Sequence, residues 1–286
     1  PGFCQDHLLP MGAAIWSTPV EKFMAYPAKT FLRFCDNHGL LQVNERPQWQ
    51  TVIGGSREYV KRIQQTFTGD IRLNCKVAKV RRFHDHVIIT DNNGENHRFD
   101  HVVMAGHADQ SLAMLDDANA DEKRLLGAFA YEQNDAVLHR DEKLMPVLGE
   151  VWSSWNYLAD REQEGSKVSV SYWMNSLQHL PCHEQLIVTL NPLRTPRKHL
   201  VYEQFSYQHP VFDDAALNAQ KHLWSLQGKQ RTWFCGSYFG YGFHEDGIQS
   251  GLAVAEQLGG VSRPWNTEQA SDRIHVHAAS TLTAAA

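Results

Sequence analysis

The stretch from Trp233 to Leu258 holds the residues best placed, by type and spacing, to do chemistry. An apolar run, Trp233-Phe234-Cys235, leads into a loop with glycine at 236, 240, 242, 247 and 251, and the loop passes into a helix expected to start near Gly247. Glycine lets backbone pass close to a ligand, and a helix start turns unpaired N–H groups and the positive end of its dipole toward whatever lies there. An electron-rich group is the natural occupant. Gly251 and Ala255, four apart, are expected to let the helix lie tightly against a sheet. The spacing is not G-x-G-x-x-G, because Glu245 stands in the third glycine's place, so a plain strand-loop-helix connection competes as a reading.

His244, Glu245 and Asp246 sit just before that expected helix start. Asp246 is read as its cap and His244 as the side chain most suited to touch a ligand. Trp152, Trp155, Asn156, Tyr157, Tyr172, Trp173 and Asn175 fall on alternating runs and divide evenly between a cavity wall and core packing. Trp155 and Tyr172 are the candidates carried forward from that group, with Trp16 and His38 as weaker ones. Histidines also pair at 84 and 86, 97 and 101, and 275 and 277, but none has further ligands at a metal-site spacing, and no metal is expected. G-x-S-x-G, H-E-x-x-H and the P-loop are missing, which leaves hydrolase, metalloprotease and triphosphatase readings without support.

The elements that must position these residues are mixed. A helix is expected over residues 19–38, capped by Ser17 or Thr18, with Phe23, Phe31 and Phe34 on its apolar side. Ile53-Gly54-Gly55-Ser56 reads as a turn into a helix carrying Tyr59, Val60 and Ile63, followed by a strand at 70–73. Residues 87–90 and 97–99 flank Asp91-Asn92-Asn93-Gly94 as a hairpin, and His101 to Gly106 reads as a buried parallel strand, with a short helix over 108–115. Five alternating runs between 136 and 205 read as an antiparallel sheet with one open face, and a helix at about 213–226 returns the chain to the glycine loop. The polar, alanine-rich stretch from Arg263 onward is expected to be a poorly ordered tail.

A net charge of −5 without clustered Lys and Arg argues against nucleic acid as partner. No run approaches the length of a membrane span, and five widely spaced cysteines suggest free thiols and a cytoplasmic setting.

The order G-S-Y, G-x-G, D-G-I-Q-S-G in residues 236–251 resembles the C-terminal flavin signature of the flavin-containing amine oxidase and phytoene desaturase superfamily. Residues 10–19, 37–41, 46–49, 54–60, 153–158 and 242–247 are similar to a bacterial group described as predicted NAD/FAD-binding, amine oxidase-like proteins, and the likeness spans residues 3–260. The resemblance implies FAD as cofactor, with Gly54 and Gly55 at the turn, Val77 near the adenine, and Ala105 and Gly106 over the adenosine half. It places Gly236 and Ser237 along the ribityl and pyrophosphate, counts Gly242 among the cofactor-binding residues, and gives Gly247, Ile248 and Gln249 as backbone donors to the isoalloxazine. Ser237 departs from the acidic residue often found there. Such relatives open with a βαβ unit carrying G-x-G-x-x-G, which this sequence lacks, so a fragment of a longer protein is expected.

The resulting expectation is an α/β chain. An incomplete doubly wound FAD-binding domain takes residues 50–115 and 231–262, and a substrate domain with a mainly antiparallel sheet takes 1–49 and 116–230. The implied activity is hydride transfer from a substrate carbon to flavin, in oxidation or desaturation of a small, apolar or lipid-like molecule. A flavin-dependent double-bond isomerase and a non-catalytic scaffold are the alternatives.

Overall fold

The computed structural model describes residues 2–16, 19–24, 26–45, 48–158, 169–266 and 270–276, which excludes the expected caps Ser17 and Thr18. The chain divides into two compact units, residues 1–70 with 132–209 and residues 71–131 with 210–286.

In the first unit, the expected long helix is broken. After α1 (Leu9–Ile15), two helices, α2 (Val20–Phe23) and α3 (Ala28–Asn37), form in place of the long one, with Pro27 opening α3. Proline lacks an N–H and biases the residue before it away from helical angles, so a helix cannot run through 26–27. Phe23, Phe31 and Phe34 are buried as their spacing requires, packed with Trp16, whose ring centroid lies 4.8 Å from that of Phe34. Gly54 and Gly55 both take positive φ (83° and 84°), a turn that favours glycine, before α4 (Arg57–Thr66). Helix α4 buries none of its residues, and Ile63 is 61% exposed. Residues 70–73, expected as a strand, form none.

The unit's sheet has the order β6 (Trp155–Leu158), β7 (Ser169–Trp173), β8 (Ile187–Leu190), β5 (Ala130–His139), β9 (Val201–Val211), with helix α7 (Met174–Gln178) after β7. Pairs β6–β7, β7–β8 and β5–β8 are antiparallel, and the register sets Trp155 opposite Tyr172 and Tyr172 opposite Val188.

In the second unit, β1 (Val77–Arg82), β2 (Val87–Asp91) and β3 (Asn96–Phe99) form an antiparallel meander. Its second turn closes where the Asp91 carboxylate accepts from the N–H groups of Asn93 (2.8 Å) and Glu95 (3.0 Å). Strand β4 (Val102–Met104) pairs in parallel with β10 (Thr232–Phe234), Met104 opposite Phe234. Helices α5 (Ala108–Met114), α6 (Ala120–Leu126), α8 (Asp214–Leu223) and α9 (His244–Gly259) complete the unit. Two are capped as their sequences demand: Asn119 and Glu122 exchange side-chain and backbone bonds at α6, and Asp213 accepts from Ala216 N at α8.

The joints between units therefore fall at 70/71, 131/132 and 209/210, whereas joints at 49/50, 115/116 and 230/231 were expected. The displacement follows from packing. Helices α6 and α8 bury Leu125, Leu126 and Leu223, and Gln220 on α8 donates to the carbonyls of Tyr238 (2.9 Å) and Gly240 (2.6 Å) in the glycine loop. The described part of the expected tail is also anchored rather than loose, because Arg263 pairs with Glu256 at 2.6 Å and Ile274 is buried.

Candidate functional site

Parallel pairing brings the carboxyl ends of β4 and β10 side by side. Cys235 N–H extends the pairing to Met104 O at 3.1 Å, and the chains then turn outward at Gly106 and Gly236. A Cβ on Gly236 would lie 3.3 Å from Gly106 O and 2.8 Å from the Tyr238 ring, at a φ of +152°. In open α/β sheets the crevice beyond such strand ends is the usual ligand seat. Ser250 holds the junction from α9, its hydroxyl bonding Gly236 N at 3.0 Å and lying 3.1 Å from Gly236 O.

Helix α9 starts at His244, a turn earlier than expected. Asp246 is the reason: its carboxylate reaches back to accept from Phe243 N–H at 2.8 Å, capping the helix from its third position. Phe243 O then takes the N–H groups of Asp246 (3.1 Å) and Gly247 (3.3 Å). The amides that helix geometry leaves over belong to His244 and Glu245, and Gly247, Ile248 and Gln249 lose the donor role the sequence suggested for them. Asp246 is fully buried, 2.9 Å from Arg273 Nε. Burial pushes its carboxyl up, against the pull of Phe243 N–H and of the Arg273 charge.

The five glycines serve two purposes. A Cβ on Gly240 would fall 2.3 Å from Asp246 Oδ1, and one on Gly242, at φ +94°, would meet the Phe212 ring at 2.9 Å. Together with Gly236, these glycines satisfy the loop's own packing. Gly247 and Gly251 differ, because a Cβ on either would meet nothing within 4 Å. They share an open side of α9 with exposed Ile248 and Ala255. The expected tight seating of Gly251 and Ala255 on a sheet is thus reversed, since the helix buries Asp246, Gln249, Ser250, Ala253 and Val254.

This arrangement has solved counterparts. A putative protoporphyrinogen oxidase from Exiguobacterium sp. 255-15 shares the fold at TM-score 0.58 and 11% identity, over 88% of this chain and 62% of its own. Reduced UDP-galactopyranose mutase does so at 0.56 and 13%, over 92% and 66%. A fatty acid isomerase from P. acnes that produces CLA gives 0.53 and 13%, over 71% and 52%. The chain spans about half to two thirds of the length of these structures. The profile of the flavin containing amine oxidoreductases matches residues 14–134. Over those residues the chain is similar to that family. No curated protein sequence matches it.

The superfamily's cofactor is a flavin, and the second unit of this amine oxidase-like chain fits one. A flat ring system needs a face clear of side chains, which Gly247 and Gly251 leave open on α9, and close backbone approach, which Gly106 offers at the end of β4, where a Cβ would meet only Gln110 Oε1 at 3.9 Å. Ala105 is exposed beside Gly106, and Val77 opens β1 half-buried, opposite Asp91. Ser237 turns its carbonyl inward to the N–H groups of Gly240 (3.1 Å) and Gly242 (3.2 Å). His244 is exposed at the first position of α9, while Gln249 is committed elsewhere, accepting from Arg273 N at 3.2 Å. Among the described residues no helix is long and apolar enough to cross a membrane.

Within the first unit the aromatic candidates separate. Trp152 and Trp173 pack edge to face and commit their indole N–H groups to Pro146 O and Gln185 Oε1, and Asn156 and Asn175 tie backbone loops. Trp155 stays 44% exposed and, with His38, lines a cavity of about 700 Å³. Tyr172 supports the Trp155 ring edge to face at 5.8 Å, and burial pushes its hydroxyl up.

One histidine cluster invites a metal reading, since Asp91, Glu95 and His97 offer atoms within 4.8 Å of one another. Arginine can only donate, so Arg72 at 3.3 Å makes His97 Nδ1 an acceptor and leaves the ring proton on Nε2, directed at Asp91 Oδ2. The cluster is a hairpin brace. Sequence reasoning gave no role to Arg273, Ser250 or Trp49: the first sits in what read as a tail, and the others lie inside the 236–251 and 46–49 motifs, whose resemblance assigned them none.

Proposed function

We propose that this chain is part of an FAD-dependent oxidoreductase that moves a hydride from a substrate carbon to flavin, in oxidation or desaturation of a small apolar molecule. The observation that carries this reading is the clear face of α9 at Gly247 and Gly251, beside the glycine junction where β4 and β10 end. Bound flavin supplies the hydride-accepting ring, and the protein's share is positioning and electrostatics. Gly106 admits the cofactor's chain close to backbone, and Gly236, packed on Tyr238 and held by Ser250, shapes the junction beside it. The leftover amides of His244 and Glu245, with the dipole of the 16-residue helix α9, favour negative charge accumulating nearby. The His244 imidazole is the side chain assigned to meet substrate or ring. Trp155 and Tyr172 are assigned to substrate.

The test is the visible absorption spectrum of the protein expressed from its full natural reading frame and saturated with FAD. Flavin bands that survive gel filtration, and that Gly247→Leu with Gly251→Leu abolishes without changing far-UV circular dichroism, are expected. A colourless parent protein sinks the proposal.

A further inference from the structure

Among the described residues, the cavity in the first unit is lined without acidic or strongly basic side chains. Its apolar walls are Phe34 and Leu40 from the α3 region, Trp49 on the following segment, and Trp155 and Leu177 from β6 and α7. Its polar groups are amides, hydroxyls and imidazoles, including Gln48, Ser154 and Ser176. None of the described lining residues is Asp, Glu, Lys or Arg.

The rings are held in place. His38 stacks on Phe34 at 3.9 Å, with its Nδ1 2.8 Å from Phe34 O, and Trp155 is braced edge to face by Tyr172. The Ser154 and Ser176 hydroxyls, both on the cavity lining, bond each other at 3.1 Å. At about 700 Å³ the volume falls within the range of small-molecule pockets, of order 300–1,000 Å³. A preformed aromatic slot of this size favours an apolar chain or ring. A buried ammonium or phosphate would find no opposite charge among these residues, and an unpaired ion pays heavily for leaving water.

We infer that this cavity is a binding site for an uncharged apolar small molecule carrying a single hydrogen-bonding end, seated between Trp49 and Trp155 with its polar end at the Ser154–Ser176 pair. That the ligand is the substrate rests on the oxidoreductase reading; that the cavity binds it does not. A diamine or a nucleotide diphosphate would find no carboxylate, ammonium or guanidinium partner among the described lining residues.

Isothermal calorimetry with three probes of equal chain length tests it: 1-decanol, decylamine and sodium decanoate, each titrated into the full-length protein below its aggregation limit. Saturable binding of decanol is expected, with the two charged probes weaker by about tenfold or more, the order of an unpaired charge brought partly out of water. Trp49 and Trp155 are 63% and 44% exposed, so Trp49→Ser and Trp155→Ser should fold and yet lose most of the decanol heat. Leu177→Glu serves as a second check and should abolish binding with little change in melting temperature. Decanol binding that is unsaturable, unchanged in these variants, or matched by decylamine or decanoate overturns the inference. The flavin spectrum is a separate reading: a colourless protein that binds decanol keeps the cavity and loses the oxidoreductase, and a yellow one that ignores decanol does the reverse.

Discussion

His139 Nε2 lies 2.7 Å from Thr189 Oγ1 inside the five-stranded sheet, and both side chains are fully buried. The Asp141 N–H donates to His139 Nδ1 at 3.0 Å, so the ring proton is on Nε2 and points at Thr189. Thr189 then donates to Ser171 Oγ (2.8 Å), which donates to Leu144 O (2.8 Å). Every group in this chain is satisfied only while the imidazole is neutral. Burial holds the His139 pKa below its usual value, with the Asp141 charge opposing. The unfolded chain therefore takes up the proton first as pH falls, so the stability tied to His139 is complete above about pH 6.5 and drains away below it. Urea unfolding of wild type and His139→Gln between about pH 8 and 5 should show the variant losing less stability on acidification. Thr189→Val should cost about 1–3 kcal/mol by orphaning the imidazole N–H.

Arg82 is the tie between the meander and α6. Its side chain is fully buried, bonding Asp117 at 2.8 Å and Glu122 Oε2 at 2.9 Å. Arg82→Met should destabilise by about 3–5 kcal/mol, because it strands the buried Glu122 carboxylate. Adding Glu122→Leu should recover much of that loss. Equal instability of single and double variants in denaturant titrations would contradict this.

Arg273→Ala tests the anchored tail. Asp246 has its carboxyl pushed up by burial, so the stability tied to it is fully present below the unfolded value near 4 and is lost as pH rises through the raised folded one. Removing its cationic partner deepens that loss where Asp246 is charged. The variant's deficit should be of order 3 kcal/mol at pH 7 and shrink toward pH 4.

Two alanine substitutions separate the glycines. Gly240→Ala drives a methyl into Asp246 and should cost about 1–3 kcal/mol. Gly247→Ala meets open space inside a helix and should stabilise by about 0.5–1 kcal/mol, while weakening FAD retention if the proposed face is right. Thermal unfolding paired with flavin absorbance reads both.

The sequence by itself determined the local devices. The hairpin turn at Asp91, the cap at Asp213 and the mixed α/β class follow from short-range rules that act within a few residues, and the flavin-type order of the glycine block is legible as a resemblance. Pro27 was equally legible and should have split the first helix, for its missing N–H needs no tertiary context. Tertiary structure alone decided which glycines serve packing and which leave a face open, because that depends on Phe212, Tyr238 and Asp246 arriving from elsewhere. It also decided that α6 and α8 join the second unit, and that Arg273 lies against Asp246 across 27 residues of chain. Of the aromatic residues on the sheet, only folding could tell Trp152, whose N–H is spent on Pro146, from Trp155, which faces a cavity. Alternation along a strand assigns a side chain to a face, but what covers that face is set by segments distant in sequence, whose approach no local pattern encodes.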